Sequence, residues 1–145
     1  MSSAIPVKIK LFDPTLPLPA YQTNQAAGFD LYSRLDMEIP AQQIAYVPLN
    51  LAFEFSAHYW LLLAARSSLH KKGLQLVNGI GVGDADFCGN TDEYQAILCN
   101  FTPQTVKISR GERLVQGILI PATQAKFTAV AQLKNPSRGG IGSTG

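Results

Sequence analysis

A glycine-rich stretch in the middle of the chain, VNGIGVGDADFCGN, combines flexible backbone with carboxylates and an aromatic ring. Glycine inside a strand pattern marks a bulge or a close approach of another group to the main chain. The stretch therefore predicts a hairpin whose main chain contacts a flat ligand, with Asp84 as a candidate base and Phe87 as a wall. The alternative is a Gly-Asp turn with solvated acids. The spacing of Gly79, Gly81 and Gly83 does not match the dinucleotide fingerprint G-x-G-x-x-G.

Three consecutive residues with phosphate-binding chemistry, Arg66, Ser67 and Ser68, follow an apolar run directly. A guanidinium offers a planar fork of donors that suits phosphate oxygens. Hydroxyls and backbone amides can complete such a site. The alternative for this stretch is a surface turn with a solvated arginine.

The C-terminal stretch RGGIGSTG combines glycines with the hydroxyls of Ser143 and Thr144. Glycine allows the main chain to approach a ligand closely. A P-loop is excluded, because it needs a lysine after its glycine and a helix that follows. If this tail binds phosphate, it folds over a ligand that is held elsewhere; the alternative is a disordered end.

Two further stretches place polar side chains within apolar strand patterns. AAGFDLYS carries Asp30 among small residues, and RLVQGIL carries Arg113 and Gln116. A buried arginine or glutamine needs hydrogen-bond partners, so we expect these side chains to form structural contacts whether or not they bind a ligand.

Short strands separated by glycine and proline position these stretches. We predict about eight strands and no helix of three turns, which favours a single all-β domain, a sandwich or barrel. The predicted strand segments are VKIKLF, IAYVPLNLAFEFS, YWLLLAA, GLQLVNGIGV, YQAILCNF, TVKIS, RLVQGILIP and KFTAVAQL. The tail after them is poor in apolar area and is expected to be a mobile arm.

Composition excludes several classes of function. The net charge of +2 is small and the basic residues form no run, so nucleic-acid binding is not indicated. No apolar run is long enough to span a membrane, and the N-terminus does not resemble a signal peptide. Two cysteines imply no disulfide framework. We expect a soluble intracellular protein. His58 and His70 are isolated, so we expect no protein metal cluster.

Taken in order, the five stretches resemble the five motifs of the trimeric dUTPase family. They are AGFDLYS, ARSSL, NGIGVGDADFCG, RGERLVQ and RGGIGSTG, and they run from about Gln25 to the last residue. The resemblance implies a distorted jelly-roll barrel that forms homotrimers with active sites between subunits. It also implies hydrolysis of dUTP to dUMP and pyrophosphate with Mg²⁺. In this arrangement, residues 1–134 form the β domain and residues 135–145 form a flexible phosphate-binding arm.

The same resemblance assigns roles to individual residues. Asp84 resembles the acid that activates the water attacking the α-phosphorus. Asp30 and Arg113 resemble residues that support the metal-water network or the subunit contacts, and the substrate phosphates hold most of the magnesium. Residues implied to bind substrate are Arg66, Ser67, Ser68, Asn78, Gly81, Phe87, Gln116, Arg138, Ile141, Ser143 and Thr144.

Several positions depart from the family pattern. Arg138 lies two residues closer to the final GSTG than is usual, and Ile141 and Phe87 replace a Phe and a Tyr. The segment after Gly89 is about three residues longer and adds two acids, Asp92 and Glu93, which form either a simple loop or an addition to the site.

Other readings stay open at this point. They are a nucleotide pyrophosphatase of other specificity and a nucleotide-binding regulator. A dCTP deaminase is disfavoured, because its catalytic Glu corresponds here to Ile97.

Overall fold

The computed structural model describes residues 4–143, and within them the chain is almost entirely β-structure. One 3₁₀ turn, Leu69–Lys72, is the single helical element of this range. The eleven strands are β1 Lys8–Leu11, β2 Phe29–Tyr32, β3 Met37–Ile39, β4 Ile44–Pro48, β5 Leu51–Glu54, β6 Tyr59–Ala65, β7 Leu74–Leu76, β8 Gly81–Gly83, β9 Gln95–Asn100, β10 Val106–Ile108 and β11 Arg113–Pro121. The predicted all-β class is confirmed, and the count of about eight strands is too low.

The strands form four antiparallel sheets that enclose one core, in a jelly-roll-like arrangement. Their orders are β2-β11-β6-β8, β4-β9-β7, β1-β5 and β10-β3. Neighbouring strands are mostly distant in sequence, as the long returns of a jelly roll require. Most of the fully buried side chains are aliphatic. They come from all four sheets and include Leu31, Ile39, Leu51, Leu61, Leu98, Ile108 and Val115.

The segment IAYVPLNLAFEFS was predicted as one strand and is divided at Asn50. Its backbone has a φ of 73°, a left-handed conformation that asparagine tolerates better than most residues. The Asn50 side chain exchanges hydrogen bonds with the backbone of Asp13, at 2.6 and 3.1 Å. The residues whose alternation predicts one buried face, Leu49, Leu51 and Phe53, are all buried, but Asn50 and Ala52 between them are buried as well, so burial does not alternate across this segment.

The segment KFTAVAQL was predicted as a strand, and that prediction is wrong for the isolated chain. β11 ends at Pro121, and every residue from 123 to 139 is exposed and outside any strand. Phe127 is 92% exposed and Leu133 is 85% exposed. The local pattern indicates β-structure, but no strand of the same chain pairs with this segment in the range that the structure describes.

β6 is the central strand of the sheet that carries most of the candidate site. It pairs along its whole length with β11 on one side, and with β8 on the other. The continuously apolar run YWLLLAA predicts a strand that is buried on both faces. Instead, Leu61 and Leu63 are buried in the core, while Leu62 and Ala64 on the opposite face are half-buried.

Candidate functional site

One end of the central sheet carries a carboxylate between two guanidiniums. Asp30 lies on β2 and is almost fully buried. Its Oδ1 is 3.0 Å from Nε of Arg66, and its Oδ2 is 3.1 Å from a terminal nitrogen of Arg113. Arg66 also donates to the backbone carbonyl of Arg113 at 3.1 Å. Two cations share one anion, so the cluster keeps a net positive charge, and both guanidiniums remain partly open to solvent.

Gln116 extends this cluster across the sheet. The register of β11 places it opposite Asp30 on one side and Ala64 on the other. Its Nε2 donates to the Ala65 carbonyl at 3.0 Å, which leaves one amide hydrogen unused by this bond. A Cβ at Gly28 would lie 2.7 Å from Gln116 Oε1, so a larger residue at this position would force the amide to move. The amide orientation is thus set by two neighbouring strands.

Ser67 and Ser68 lie in the turn that follows β6, and both are exposed. The turn is anchored by the backbone, because Arg66 donates to the Leu114 carbonyl at 3.3 Å and Leu69 donates to the Arg66 carbonyl at 3.0 Å. The Leu69 side chain is buried beneath it. Both hydroxyls therefore stand at the surface beside the arginine cluster.

Backbone conformation and contacts within the chain explain the three alternating glycines, and the sequence did not reveal these contacts. Gly79 forms the turn before β8 with a φ of 70°. A Cβ at Gly81 would lie 2.8 Å from Leu63 Cβ, and one at Gly83 would lie 2.5 Å from the Tyr94 hydroxyl. The glycines of β8 thus admit side chains of the core. Asn78, in the turn, is exposed.

Asp84 directly follows β8 and is exposed. It begins a tight turn in which the Phe87 amide donates to the Asp84 carbonyl at 3.1 Å. The Phe87 ring packs edge-to-face on Tyr94, with centroids 5.1 Å apart, and stays partly exposed. The predicted base and the predicted wall therefore lie together on one turn.

Asp84 and the arginine cluster lie at opposite ends of β6. Gly83 pairs with Leu61, whereas Gln116 pairs with Ala64 and Arg66 comes after the strand. Six positions separate Arg66 from the level of Asp84, which is about 20 Å at roughly 3.3 Å per residue. Within one chain, the candidate base and the candidate phosphate ligands do not meet.

The C-terminal segment bonds locally to itself. The Ser143 hydroxyl accepts from the Gly140 amide at 2.6 Å, and the Ser143 amide donates to the Gly140 carbonyl at 3.1 Å. Ile141 and Arg138 are exposed, and Arg138 forms no ion pair within residues 4–143. Thr144 lies outside the described residues.

Two further features bear on possible ligands. In the described part of the chain, no three His, Cys, Asp or Glu side chains come close enough together to hold a metal ion. Both oxygens of Asp30 are already paired with guanidiniums. None of the helical structure between residues 4 and 143 has the length and apolar character needed to cross a membrane.

Comparison with known proteins identifies the family. The family model for dUTPase matches residues 15–145. The deoxyuridine 5'-triphosphate nucleotidohydrolase of Nautilia profundicola is 36% identical over 142 residues, which cover 96% of this chain and 98% of that protein. The chain belongs to the dUTPase family.

Solved dUTPase structures share this fold. The dUTPase of Streptococcus mutans aligns with a TM-score of 0.76 at 36% identity, covering 82% of this chain and 98% of that one. The dUTPase of Staphylococcus bacteriophage 80alpha with dUPNHPP aligns with a TM-score of 0.85 at 20% identity. That alignment covers 97% of this chain and 98% of the phage protein. The jelly-roll-like β fold is therefore that of the dUTPases.

The structure explains the acids of the segment after Gly89, which the sequence left open. Asp92 accepts a hydrogen bond from the Gly89 amide at 2.7 Å. Glu93 accepts from Nε of Arg34 at 2.7 Å, and from the Asn50 amide at 3.0 Å. In this dUTPase chain, both acids stabilise local backbone and loop structure.

One residue near Asp84 was missed by the sequence reasoning. Tyr94 is 7% exposed, and its hydroxyl is fully buried with no hydrogen-bond partner among the described residues. No local signal marked it, because a tyrosine ahead of an alternating strand is common in β-structure. Only the packing of β8 against this ring brings it to the candidate site.

Proposed function

We propose that this chain hydrolyses dUTP to dUMP and pyrophosphate, with Asp84 as the general base. The single observation that carries the proposal is the exposed Asp84 carboxylate, on a glycine-strand turn of a dUTPase-family chain. The nearby Phe87 ring supports it, because a ring beside the sugar can pack on deoxyribose and exclude a 2′-hydroxyl. Asn78 and Gly81 supply the polar and main-chain groups for uracil.

The reaction is a displacement at the α-phosphorus. Asp84 accepts a proton from water, and the water oxygen forms a bond to the α-phosphorus. The bond from that phosphorus to the oxygen bridging to the β-phosphorus breaks, and pyrophosphate leaves with the bonding electrons. A base of this kind contributes about 10²–10⁴-fold, and positioning with charge stabilisation supplies the remainder.

The arginine cluster supplies that charge stabilisation. The partly exposed guanidinium of Arg66, the hydroxyls of Ser67 and Ser68, and the Gln116 amide all lie at the same end of the sheet. Asp30 holds Arg66 in place through an ion pair, and the backbone carbonyl of Arg113 accepts a hydrogen bond from the same guanidinium. In this proposal, Arg138, Ser143 and Thr144 reach the phosphates from the C-terminal arm, and Ile141 covers the base.

Magnesium fits this site as an ion that arrives with the nucleotide. Asp30 is engaged with two guanidiniums, and the described residues offer no cluster of metal ligands. Phosphate oxygens and water are the ligands that Mg²⁺ commonly keeps in such sites. When bound, the ion neutralises phosphate charge, while the side chains of this chain orient the nucleotide.

The separation of Asp84 from Arg66 favours an assembly with sites between subunits, and we propose a homotrimer. The outer face of the central sheet is apolar, with Leu62 paired to Ile118 and to Val82 in one row. Val82 is 63% exposed. A second copy that covers this face can bring its own Asp84 to the Arg66 end.

The exposed segment 126–133 supports the same assembly. Its pattern indicates a strand, yet Phe127 and Leu133 contact no core of their own chain. A large groove of about 900 Å³, lined by apolar side chains such as Leu18 and Tyr21, is open on the same chain. Pairing between neighbouring copies would bury both surfaces at once.

The activity is tested by pyrophosphate release from dUTP, the other dNTPs and UTP with Mg²⁺. We expect dUTP to be preferred, and Asp84→Asn to lower turnover by at least about 10²-fold while nucleotide still binds. Asp86→Asn is the matched control and should retain activity. If Asp86→Asn loses activity to that extent while Asp84→Asn stays active, the base has been assigned to the wrong carboxylate.

The assembly is tested by sedimentation and by mixing inactive variants. We expect a particle three times the 15.7 kDa mass of one chain. Asp84→Asn and Arg66→Ala, refolded together, should regain about a quarter of the wild-type rate, because random mixing completes that share of shared sites. A monomer in sedimentation, or a mixture as inactive as its components, would contradict sites shared between subunits.

A further inference from the structure

The turn before β8 contains an asparagine followed by a glycine, Asn78 and Gly79, and this pair occurs once in the sequence. Residues 77–80 are all exposed. The Gly79 amide closes the turn with a long hydrogen bond of 3.3 Å to the Leu76 carbonyl. A Cβ built on Gly79 would meet no atom within 4 Å. The peptide bond between the two residues therefore has room to change its conformation.

An asparagine in this setting is open to attack by its own backbone. The Gly79 nitrogen loses its proton to solvent and forms a bond to the side-chain carbonyl carbon of Asn78. The side-chain nitrogen takes a proton from water and leaves as ammonia, so a cyclic imide remains. Water then adds to either imide carbonyl and opens the ring, which leaves aspartate or isoaspartate at position 78. A side chain on the attacking residue would hinder this approach, and glycine has none.

The other asparagines lack one or more of these conditions. Asn50 and Asn100 are buried, and their side chains are hydrogen-bonded to backbone groups. The Asn90 side-chain oxygen accepts from a lysine at 3.0 Å, and a threonine follows it. Asn24 is exposed, but a glutamine follows it. Asn135 precedes a proline, whose nitrogen carries no hydrogen and cannot attack.

We propose that Asn78 is a site of spontaneous deamidation, and that its conversion inactivates the nucleotide site. The second half of this inference rests on the proposed function, in which the Asn78 amide contacts uracil. An amide both donates and accepts hydrogen bonds, whereas a carboxylate only accepts them. The carboxylate is also ionised at neutral pH, which adds negative charge to a site that binds a triphosphate. Both changes weaken nucleotide binding.

Isoaspartate has a further effect, because it carries the main chain through the side-chain carbon and lengthens the turn. β8 begins at Gly81 and is held in register on β6, and Asp84 follows it directly. A longer turn shifts the entry to β8 and moves the candidate base with it. In the proposed site uracil covers Asn78, so bound nucleotide should slow the deamidation.

The test follows residue 78 by peptide mass spectrometry and isoaspartate labelling while the full chain is incubated at mildly alkaline pH. We expect Asn78 to deamidate faster than Asn24, the exposed control, and dUTP hydrolysis to fall in the same proportion. Mildly acidic pH should slow both losses, because the attacking nitrogen must lose its proton. A non-hydrolysable α,β-imido analogue of dUTP with Mg²⁺ should slow them as well. Modification of Asn78 no faster than that of Asn24, or without loss of activity, would overturn the inference.

Two variants assign the loss of activity to this pair. Gly79→Asn adds a side chain to the attacking residue, and asparagine tolerates the φ of 70° at this position. This variant should keep its own starting activity through the same incubation, and a loss at the wild-type rate would contradict the mechanism. Asn78→Asp reproduces one product directly. Its KM for dUTP should rise at least about tenfold, the equivalent of one lost hydrogen bond, and an unchanged KM would refute the inactivation.

Failure of the proposed function gives a different result. Fresh protein that does not hydrolyse dUTP would overturn the proposed function and the inactivation that rests on it. The mass spectra of residue 78 still decide whether Asn78 deamidates, because that measurement does not depend on activity.

Discussion

Two regions are expected to contact phosphate, and they are built in opposite ways. Around Asp30, two guanidiniums and the Gln116 amide are held by three paired strands and by one almost fully buried carboxylate. Around Arg138, the hydrogen bonds seen within residues 4–143 join near neighbours in sequence, as in the turn closed by Ser143 and Gly140. The first region is organised before any ligand arrives, whereas the second has few contacts that could order it.

Each of the two arrangements has its own free-energy cost. A preorganised cluster needs no ordering when phosphate binds, but each of its charges must be balanced in the empty protein. A glycine-rich arm needs no such balance, yet it loses conformational entropy when it closes. Changes in the cluster should therefore affect stability and activity together, and changes in the arm should affect activity alone.

Removal of the arm should give the largest effect. Deleting Pro136 to Gly145 should abolish most dUTP hydrolysis, by about 10²-fold or more, because closure excludes water and adds phosphate donors. The melting temperature and the sedimentation coefficient, measured on the same sample, should match the full chain. If the truncated protein hydrolyses dUTP at the full rate, the arm has no role in the mechanism. The comparison between the arm and the Asp30 cluster as phosphate-binding regions then does not hold.

Loss of the central carboxylate should affect both properties. Asp30→Asn leaves Arg66 and Arg113 side by side without their counter-charge. We expect the free energy of unfolding to fall by about 1–3 kcal/mol, less than for a fully buried pair, because both arginines are partly exposed. Turnover should fall at least about tenfold, since Arg66 loses its orientation.

The control for Asp30→Asn is Glu38→Gln, which breaks an exposed pair with Lys107. Urea unfolding should show that this control changes stability by less than about 0.5 kcal/mol. If Asp30→Asn unfolds like the wild type, the carboxylate does not organise the cluster, and the two regions differ less than the structure indicates.

A smaller effect is expected from Gly28→Ala. The new Cβ would lie 2.7 Å from Gln116 Oε1, so the amide must turn away from its present position. We expect roughly a fivefold loss of kcat/KM for dUTP, because a phosphate contact is misplaced rather than removed. Ala27→Ser, at the exposed neighbouring position, is the control and should change neither kinetics nor melting temperature.

The smallest effect is expected within the arm itself. Ile141 is fully exposed, and Phe at this position would add a ring that can stack on a base. Ile141→Phe should keep kcat and leave the KM for dUTP unchanged or up to about threefold lower. An increase in KM would show that residue 141 does not cover the base when the arm closes.

Much of the fold could be predicted from local pattern, and the failures have a common cause. The apolar positions Leu49, Leu51 and Phe53 were correctly predicted to be buried, although Asn50 and Ala52 between them are buried as well. The KFTAVAQL segment has an equally clear strand pattern but forms no strand in the isolated chain. A strand needs a partner, and the local sequence does not state whether the same chain provides one.

The glycines of β8 show the same limit within the candidate site. The sequence indicated that backbone must be approached closely at these positions, and the structure shows Leu63 and Tyr94 doing so. The pattern could not name the approaching group, because both side chains come from strands or loops distant in sequence. The binding roles assigned to Asn78 and Gly81 stay predictions.

The sequence by itself determined the β class and the dUTPase family, and it supplied the candidate groups for the chemistry, whose roles stay predictions. Five short motifs in order suffice for this, since each is a local pattern of residue types. Only the tertiary structure decided that Asp30 faces Gln116 and binds two arginines, and that Asp84 lies about 20 Å from Arg66 along β6. It also decided that the Tyr94 hydroxyl is buried against Gly83. These relations depend on strand register between distant segments, where a shift of one residue moves every side chain to the opposite face.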